Sequence, residues 1–360
     1  MPAPPRSRPR DAATAALALL LLLWTLSAWD AIPGALAPPL PDPALACDES
    51  DLERLLAGRW RITQSGSAPP QLGVFESECP APAAAPAPAA FWRGRRLALV
   101  GDSVTRGLAI DLAVGVFECA WLAWDGAARP TSANSPAPAS VSATCAQLHA
   151  YACTGNKHED LLLNGPGVGA LHFAWAPFAE DLSRGTPAAL LRDAGYEAIL
   201  VSLGFWDVAV KTEGADKSVA HHCAWMASGV ALDATLHASN PRLRDRFIFW
   251  QPPYTEPRGG NDARIPHNDL DVVNGCSRDA CAAAGLLYAN TSQLLRAPAG
   301  AFAELQQWAA QDVARHGSLL TIEGYHPTMI VRSELLGILT RYFSARAREK
   351  SNAMEIFNTV

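Results

Sequence analysis

The segment Leu97–Gly107, LALVGDSVTRG, constrains this chain most. Four apolar residues run without a break into Gly101-Asp102-Ser103, and a helical pattern follows. An apolar run of this kind reads as a strand covered on both faces, which requires helices above and below a sheet. The turn then presents a serine at the strand's carboxyl end, the edge where open α/β sheets hold their ligands. Its backbone N–H lies at a helix N-terminus, where partial positive charge favours a developing oxyanion. A serine alone is a weak nucleophile, so a histidine base and a group to orient that base are expected elsewhere.

Further strands are expected at Phe117–Ala123, Ala170–Ala176, Ala198–Leu203, Phe247–Gln251 and Leu286–Asn290. Helical patterns fall at Thr186–Ala194, Ser218–Ala238, Phe302–Ala314 and Met329–Ala345. Alternation of this kind predicts an α/β fold, a doubly wound sandwich with a mainly parallel central sheet. The expected organisation is a tail over 1–11, a membrane helix over 12–29 and a Pro-rich stem over 30–46. A Cys-bounded module and Pro/Ala linker follow over 47–90, then a catalytic domain over 91–347 and a tail over 348–360.

Ala12–Trp29 carries no charge, with Arg6, Arg8 and Arg10 before it and Asp30 after it. It is close to the ~20 apolar residues that a membrane helix needs, and its basic flank predicts a cytosolic N-terminus. The expectation is a type II signal-anchor with the body in the lumen of the secretory pathway, in the Golgi. The alternatives are a cleaved signal peptide ending at Ala35-Leu36-Ala37, which makes the protein secreted, and a transit peptide.

The eight cysteines (Cys47, Cys79, Cys119, Cys145, Cys153, Cys223, Cys276 and Cys281) agree with an oxidising compartment and are all disulfide candidates. Cys145 with Cys153 and Cys276 with Cys281 are close enough to close small loops, and Cys47 with Cys79 closes the N-terminal module. No paired C-x-x-C supports a metal site, and His221-His222-Cys223 reads as a polar patch on a helix. Asn290-Thr291-Ser292 is an N-glycosylation sequon. The formal net charge of −6, without a dense basic run in the body, excludes nucleic acid as an expected partner.

Among nine histidines, His326 stands out in Thr321–Pro327, TIEGYHP, ahead of the last helical pattern. Glu323 precedes it by three residues, so a turn sets a carboxylate beside the imidazole to hold one ring nitrogen while the other faces the serine. The remaining histidines lack such a context. Asp102 adjoins Ser103, and neighbouring side chains point apart, so it reads as structural rather than as a general base. Arg106 is placed to pin the turn or touch the substrate. Gly204 follows the strand AILVSL and offers a second backbone N–H to an oxyanion. Trp206 and Trp175 read as core packing or as sugar-stacking platforms.

The blocks GDSVTRG, HFAWAPFAEDL, ILVSLGFWD and EGYHP, in this order, resemble the SGNH/GDSL hydrolase superfamily. Within it they resemble the PC-esterase group, which includes plant trichome-birefringence-like polysaccharide O-acetyltransferases. Cys47-Asp48, Gly58-Arg59-Trp60 and Cys79-Pro80 match that group's module ahead of the GDS turn, and the likeness spans residues 47–345. It implies an SGNH-type fold and a triad of Ser103, His326 and Glu323. Gly204, Arg106, Asp102 and Trp206 then serve the oxyanion or the substrate. It also implies a glycan or polysaccharide acceptor and an acetyl donor, the donor being a substrate, with neither metal nor cofactor. The chain departs from the pattern twice. Glu323 stands where the group usually has aspartate, and no asparagine occupies the third block. The second-block glycine falls on Gly165, Gly167 or Gly169. The expected activity is lumenal O-acyl transfer through an acetyl-serine. The alternatives are an acetylesterase or another GDSL-type esterase or lipase, and a catalytically silent glycan-binding protein.

Overall fold

The computed structural model describes residues 51–63, 71–79, 86–119, 142–153, 158–165, 169–193, 195–209, 219–228, 246–250, 267–291, 294, 321–322, 326–327 and 329–358. They belong to a unit running Cys47–Val360. The expected tail, anchor and stem over 1–46 lie outside the described residues, as does the expected helix Phe302–Ala314. Among the described residues no helix is long and apolar enough to cross a membrane.

The N-terminal segment forms α1 (Leu52–Leu56), the antiparallel strands β1 (Gly58–Thr63) and β2 (Gln71–Ser77), and α2 (Pro88–Trp92). Next come β3 (Arg96–Gly101), α3 (Ser103–Phe117), α4 (Ala143–Cys153), β4 (Leu161–Gly165) and β5 (Gly169–Trp175). A 3₁₀ turn over Ala179–Ser183 leads to α5 (Gly185–Arg192), β6 (Ala198–Ser202), α6 (Phe205–Ala209) and α7 (Val219–Ser228). The chain continues with β7 (Phe247–Trp250), α8 (His267–Ala284), β8 (Leu287–Ala289), β9 (Thr321–Ile322), β10 (His326–Pro327) and α9 (Met329–Asn358). The main sheet has the order β4-β5-β3-β6-β7-β8. Only β4, on the edge, is antiparallel to its neighbour. The expected mainly parallel α/β sandwich is therefore observed.

Two apolar clusters divide the strands by parity. Leu97, Leu99, Leu171, Phe173 and Leu200 face a core shared with α1, α2, α3 and α9. Ala98, Val100, Ala174, Ile199, Val201 and Phe249 face a core shared with α5, α7 and α8. This explains the continuous apolar runs, since each strand is covered on both sides. The Cys-bounded module packs into the first core through Leu52, Leu55, Trp60 and Phe75. Trp60 Nε1 donates to Leu294 O at 2.8 Å, and Arg341 Nη2 donates to Cys79 O at 2.8 Å.

Several expectations are corrected. Phe117 ends α3 rather than opening a strand, because the helix begun at Ser103 continues to it, burying Val104, Leu108, Leu112 and Val116; residues 120–123 of that expected strand lie outside the described residues. The helix α9 runs to Asn358, through the segment expected as a tail. Cys145 pairs with Cys119, not Cys153, and Cys276 pairs with Cys223, not Cys281. Cys276 and Cys281 lie five apart on α8, where i and i+5 diverge around the helix. Cys281 is instead a buried free thiol, and burial pushes its pKa up to about 12. Cys79 is disulfide-bonded, and Cys47 lies outside the described residues.

Candidate active site at the carboxyl edge of the sheet

The chain leaves β3 toward β5 on one side and returns to β6 on the other. The carboxyl ends of β3 and β6 thus form a topological switch point, where a crevice opens. One rung of the sheet aligns Trp175, Gly101 and Ser202. Ser103 and Gly204 each lie two residues past that rung, on adjacent strands.

Gly101 makes the turn after β3. A Cβ there would overlap Thr105 Oγ1 and press on Ser202 O at 2.5 Å, so only glycine fits between the helix and the next strand. Asp102 is buried and caps α3: its Oδ1 accepts from Val104 N at 2.9 Å, and its carbonyl accepts from Arg106 N at 2.9 Å. These bonds account for an aspartate at this place in the turn. Ser103 is the first residue of α3 and is half-buried. Gly204 has φ +104°, and a Cβ there would overlap Val273 Cγ1 and approach His222 Cε1 at 3.2 Å. Its backbone is held in a conformation that other residues rarely adopt.

Arg106 and Trp206 come to the same edge. The Arg106 guanidinium lies 5.9 Å from the centroid of the Trp175 ring. On Trp175 the exposed ring of His158 is stacked at 4.5 Å and 8°. Trp206 stands edge-on to both rings, at 5.4 and 5.7 Å, and Phe178 stands edge-on to Trp206 at 6.3 Å. Asp160 Oδ1 accepts from Trp175 N at 2.8 Å and fixes the end of β5. His158 is exposed, while Trp175 and Trp206 are half-buried against the core; the sequence did not single out His158, although Glu159 and Asp160 follow it directly.

The backbone of His326 is described, as the first residue of β10, which packs against α3 and opens α9. Glu323 lies outside the described residues. The two helices behind these positions are clamped by a buried ion pair. Arg332 Nη2 donates to Asp111 Oδ1 at 3.2 Å, and Arg332 Nε donates to Asp111 Oδ2. Burial pushes the Asp111 carboxyl above its ordinary value, against the pull of the Arg332 charge.

Gly165 and Gly169 lie at the amino edge of the sheet, where β4 ends and β5 begins. That edge is about 20 Å from Ser103, the length of a seven-residue strand, so neither glycine is near the serine. Gly167 lies outside the described residues. The second-block residues that do reach the edge are Trp175 and Phe178, with His158 and Asp160 beside them from the segment before β4.

His221-His222-Cys223 is not a polar surface patch. His222 is fully buried, with Nδ1 2.9 Å from Asp207 Oδ2 and Nε2 2.9 Å from Ser277 Oγ. His221 Nε2 lies 3.1 Å from Glu180 Oε2, and Cys223 is in a disulfide. Sequence reasoning missed this trio because its members lie 15 and 55 residues apart. Among the described residues no group of three or more His, Cys, Asp or Glu is arranged to hold a metal.

No family model matches the chain, and no curated protein is similar to it. Solved structures that align with it include a peptidoglycan O-acetylesterase, at 10% identity over 71% of this chain and 93% of that one, TM-score 0.40. A carbohydrate esterase family 3 protein from Talaromyces cellulolyticus aligns at 15% identity over 74% and 99%, TM-score 0.35. A lipase/acylhydrolase from Enterococcus faecalis aligns at 13% identity over 70% and 96%, TM-score 0.35.

Proposed function

We propose that the chain is an SGNH-type, serine-dependent O-acyltransferase that acetylates hydroxyls of glycans in the lumen of the secretory pathway. One observation carries this reading: Ser103 and Gly204 stand at matched offsets past a shared rung, at the sheet's switch point. In the proposed reaction Ser103 Oγ attacks the acetyl carbonyl carbon of the donor while His326 takes its proton. Glu323 orients the resulting imidazolium. The oxyanion is held by the backbone N–H groups of Ser103, at the helix N-terminus, and of Gly204. Collapse expels the donor's alcohol or other leaving group, which takes the proton back. A sugar hydroxyl then attacks the acetyl-serine, with His326 again as base, and leaves as the acetyl ester. Packing of β10 against α3 supports the pairing of His326 with Ser103.

The exposed His158 ring, backed by Trp175 and Trp206, supports a carbohydrate acceptor, because sugar C–H faces pack well on aromatic rings. The disulfides Cys119–Cys145 and Cys223–Cys276 support an oxidising compartment. Asn290 is exposed, as a glycan acceptor must be. A second reading, acetylester hydrolysis, is favoured by one observation: Ser103 is only half-buried, so water reaches the edge. Intact mass spectrometry of the full chain with an activated acetyl ester tests both readings. One acetyl group is expected on the wild type and none on Ser103→Ala. Adding oligosaccharides then yields acetylated sugar if the enzyme transfers, and free acetate alone if it hydrolyses. No adduct on the wild type, together with retained glycan binding, would overturn both in favour of a silent binding protein.

A further inference from the structure

Beneath Gly204 lies a buried chain of polar groups that the proposed reaction at Ser103 does not use. His222 from α7 donates through Nδ1 to Asp207 Oδ2 of α6, and its Nε2 shares a hydrogen bond with Ser277 Oγ of α8, both at 2.9 Å. Three helices therefore meet at one imidazole. The disulfide Cys223–Cys276 joins the residues next to His222 and Ser277, so the spacing between α7 and α8 is covalently fixed there.

The position of Gly204 follows from this arrangement. The helix α6 has five residues and begins directly after Gly204, so Asp207 anchors its only turn. Phe205 and Val208 seat the same turn on Leu270 and Val273 of α8. The His222 ring also packs against the open side of Gly204, where a Cβ would come within 3.2 Å of Cε1. Gly204 is thus bounded by the ring below and by the Asp207 bond along the chain. From Leu203 to Phe205 every side chain is apolar or absent. None of these three side chains can donate a hydrogen bond, so a donor at this turn is a backbone N–H, and only backbone position can aim it. Asp207 Oδ1 is buried without a hydrogen-bond partner among the described residues. An unpaired carboxylate oxygen is unfavourable to fold around, so the carboxylate is kept for its bond to His222.

We infer that Asp207, His222 and Ser277 are positioning residues that fix the Gly204 N–H as an oxyanion donor. The inference rests on the reading of Ser103 as nucleophile. It does not make Ser277 a second nucleophile, because Ser277 is 1% exposed and no acyl group reaches it.

The test is steady-state hydrolysis of p-nitrophenyl acetate by the full chain, with melting temperature recorded for each variant. His222→Phe keeps the ring volume and removes both hydrogen bonds. It is expected to lower kcat about tenfold to a hundredfold, the scale of a small misplacement of a catalytic group, with KM within twofold of wild type. His222→Gln retains one donor and one acceptor and is expected to recover part of kcat. A kcat for His222→Phe within twofold of wild type would overturn the inference, as would a change confined to melting temperature or an equal loss in His222→Gln. If His222→Phe does not fold, Ser277→Ala decides: a lower kcat at unchanged KM supports the inference, and a wild-type kcat overturns it. Fluorophosphonate labelling of the wild type separates the two layers. Wild type that is not labelled at Ser103 removes the nucleophile reading and this inference together. Labelled wild type with unaffected variants removes this inference alone.

Discussion

Ser277 and Ser103 stand in opposite settings. Ser277 has the contacts by which a nucleophile is usually recognised, a hydroxyl 2.9 Å from an imidazole that also meets a buried carboxylate. Yet it sits in the middle of α8, sealed from solvent. Ser103 has the placement instead: a strand end, a helix N-terminus, partial exposure and a neighbouring strand that ends in a left-handed glycine. Acyl transfer requires a carbonyl carbon to reach the oxygen and donors to meet the charge that develops there. By those requirements the open serine is the one proposed to react, and the sealed serine is proposed as scaffold. A hydrogen-bonded trio of the right residue types is therefore weak evidence of chemistry until access is considered.

The largest expected effect tests this contrast directly. Ser103→Ala should lower acetyl turnover by about 10⁵–10⁶-fold, as loss of a nucleophile does, while Ser277→Ala loses at most about tenfold. Reversed magnitudes would exchange the roles of the two serines. The disulfides sharpen the comparison next. Cys223–Cys276 closes 53 residues and Cys119–Cys145 closes 26, so their removal should cost about 4 and about 3.5 kcal/mol respectively. Chemical denaturation of Cys223→Ser/Cys276→Ser and Cys119→Ser/Cys145→Ser checks those values. Only the first double variant should also lower kcat in its remaining folded fraction, because only that bridge flanks the His222 trio.

The Asp111–Arg332 clamp comes next. Asp111→Ala leaves Arg332 buried without its carboxylate, which should cost about 3 kcal/mol in urea unfolding. It should lower kcat as well, because the clamp holds the helix that follows His326. An unchanged kcat would separate α9 from the site. The smallest effect concerns Cys281, whose thiol keeps its proton up to about pH 12 in the folded protein and only to 9.0 unfolded. Below pH 9 this difference contributes nothing to pH dependence, and above it stability falls as pH rises. Iodoacetamide at pH 8 should leave Cys281 unmodified in the native protein and alkylate it in urea, as read by peptide mass spectrometry.

The sheet was largely legible in the sequence, because β3, β5, β6 and β7 are apolar on both faces and no surface pattern competes with that signal. The short edge strand β4 was not, since LLLNG is too brief to show a period. Nor was α8, where Asp, Asn, Ser and Arg interrupt the apolar positions. The expected strand Phe117–Ala123 misled at its start, because Phe117 is the last residue of a helix and Glu118 is its left-handed cap; residues 120–123 lie outside the described residues. At the site, Ser103, Asp102 and Gly204 could be placed from turns that are local in sequence. His222 could not, since Asp207 and Ser277 meet it only after three helices pack. The pairs Cys145–Cys153 and Cys276–Cys281 failed for the same reason: closeness in sequence was taken for closeness in space.

The last helix bears on the order in which the molecule assembles. Trp92 Nε1 donates to Thr340 Oγ1 across 248 positions, Arg341 reaches the Cys79 carbonyl across 262, and Val331, Leu335 and Leu339 fill the core beneath the N-terminal module. While α9 is still inside the ribosome, Leu52, Trp60 and Trp92 have no completed core to enter. They remain exposed through most of synthesis. The module made long before α9 is thus finished only with it, and its apolar surface is a natural binding site for chaperones on the nascent chain.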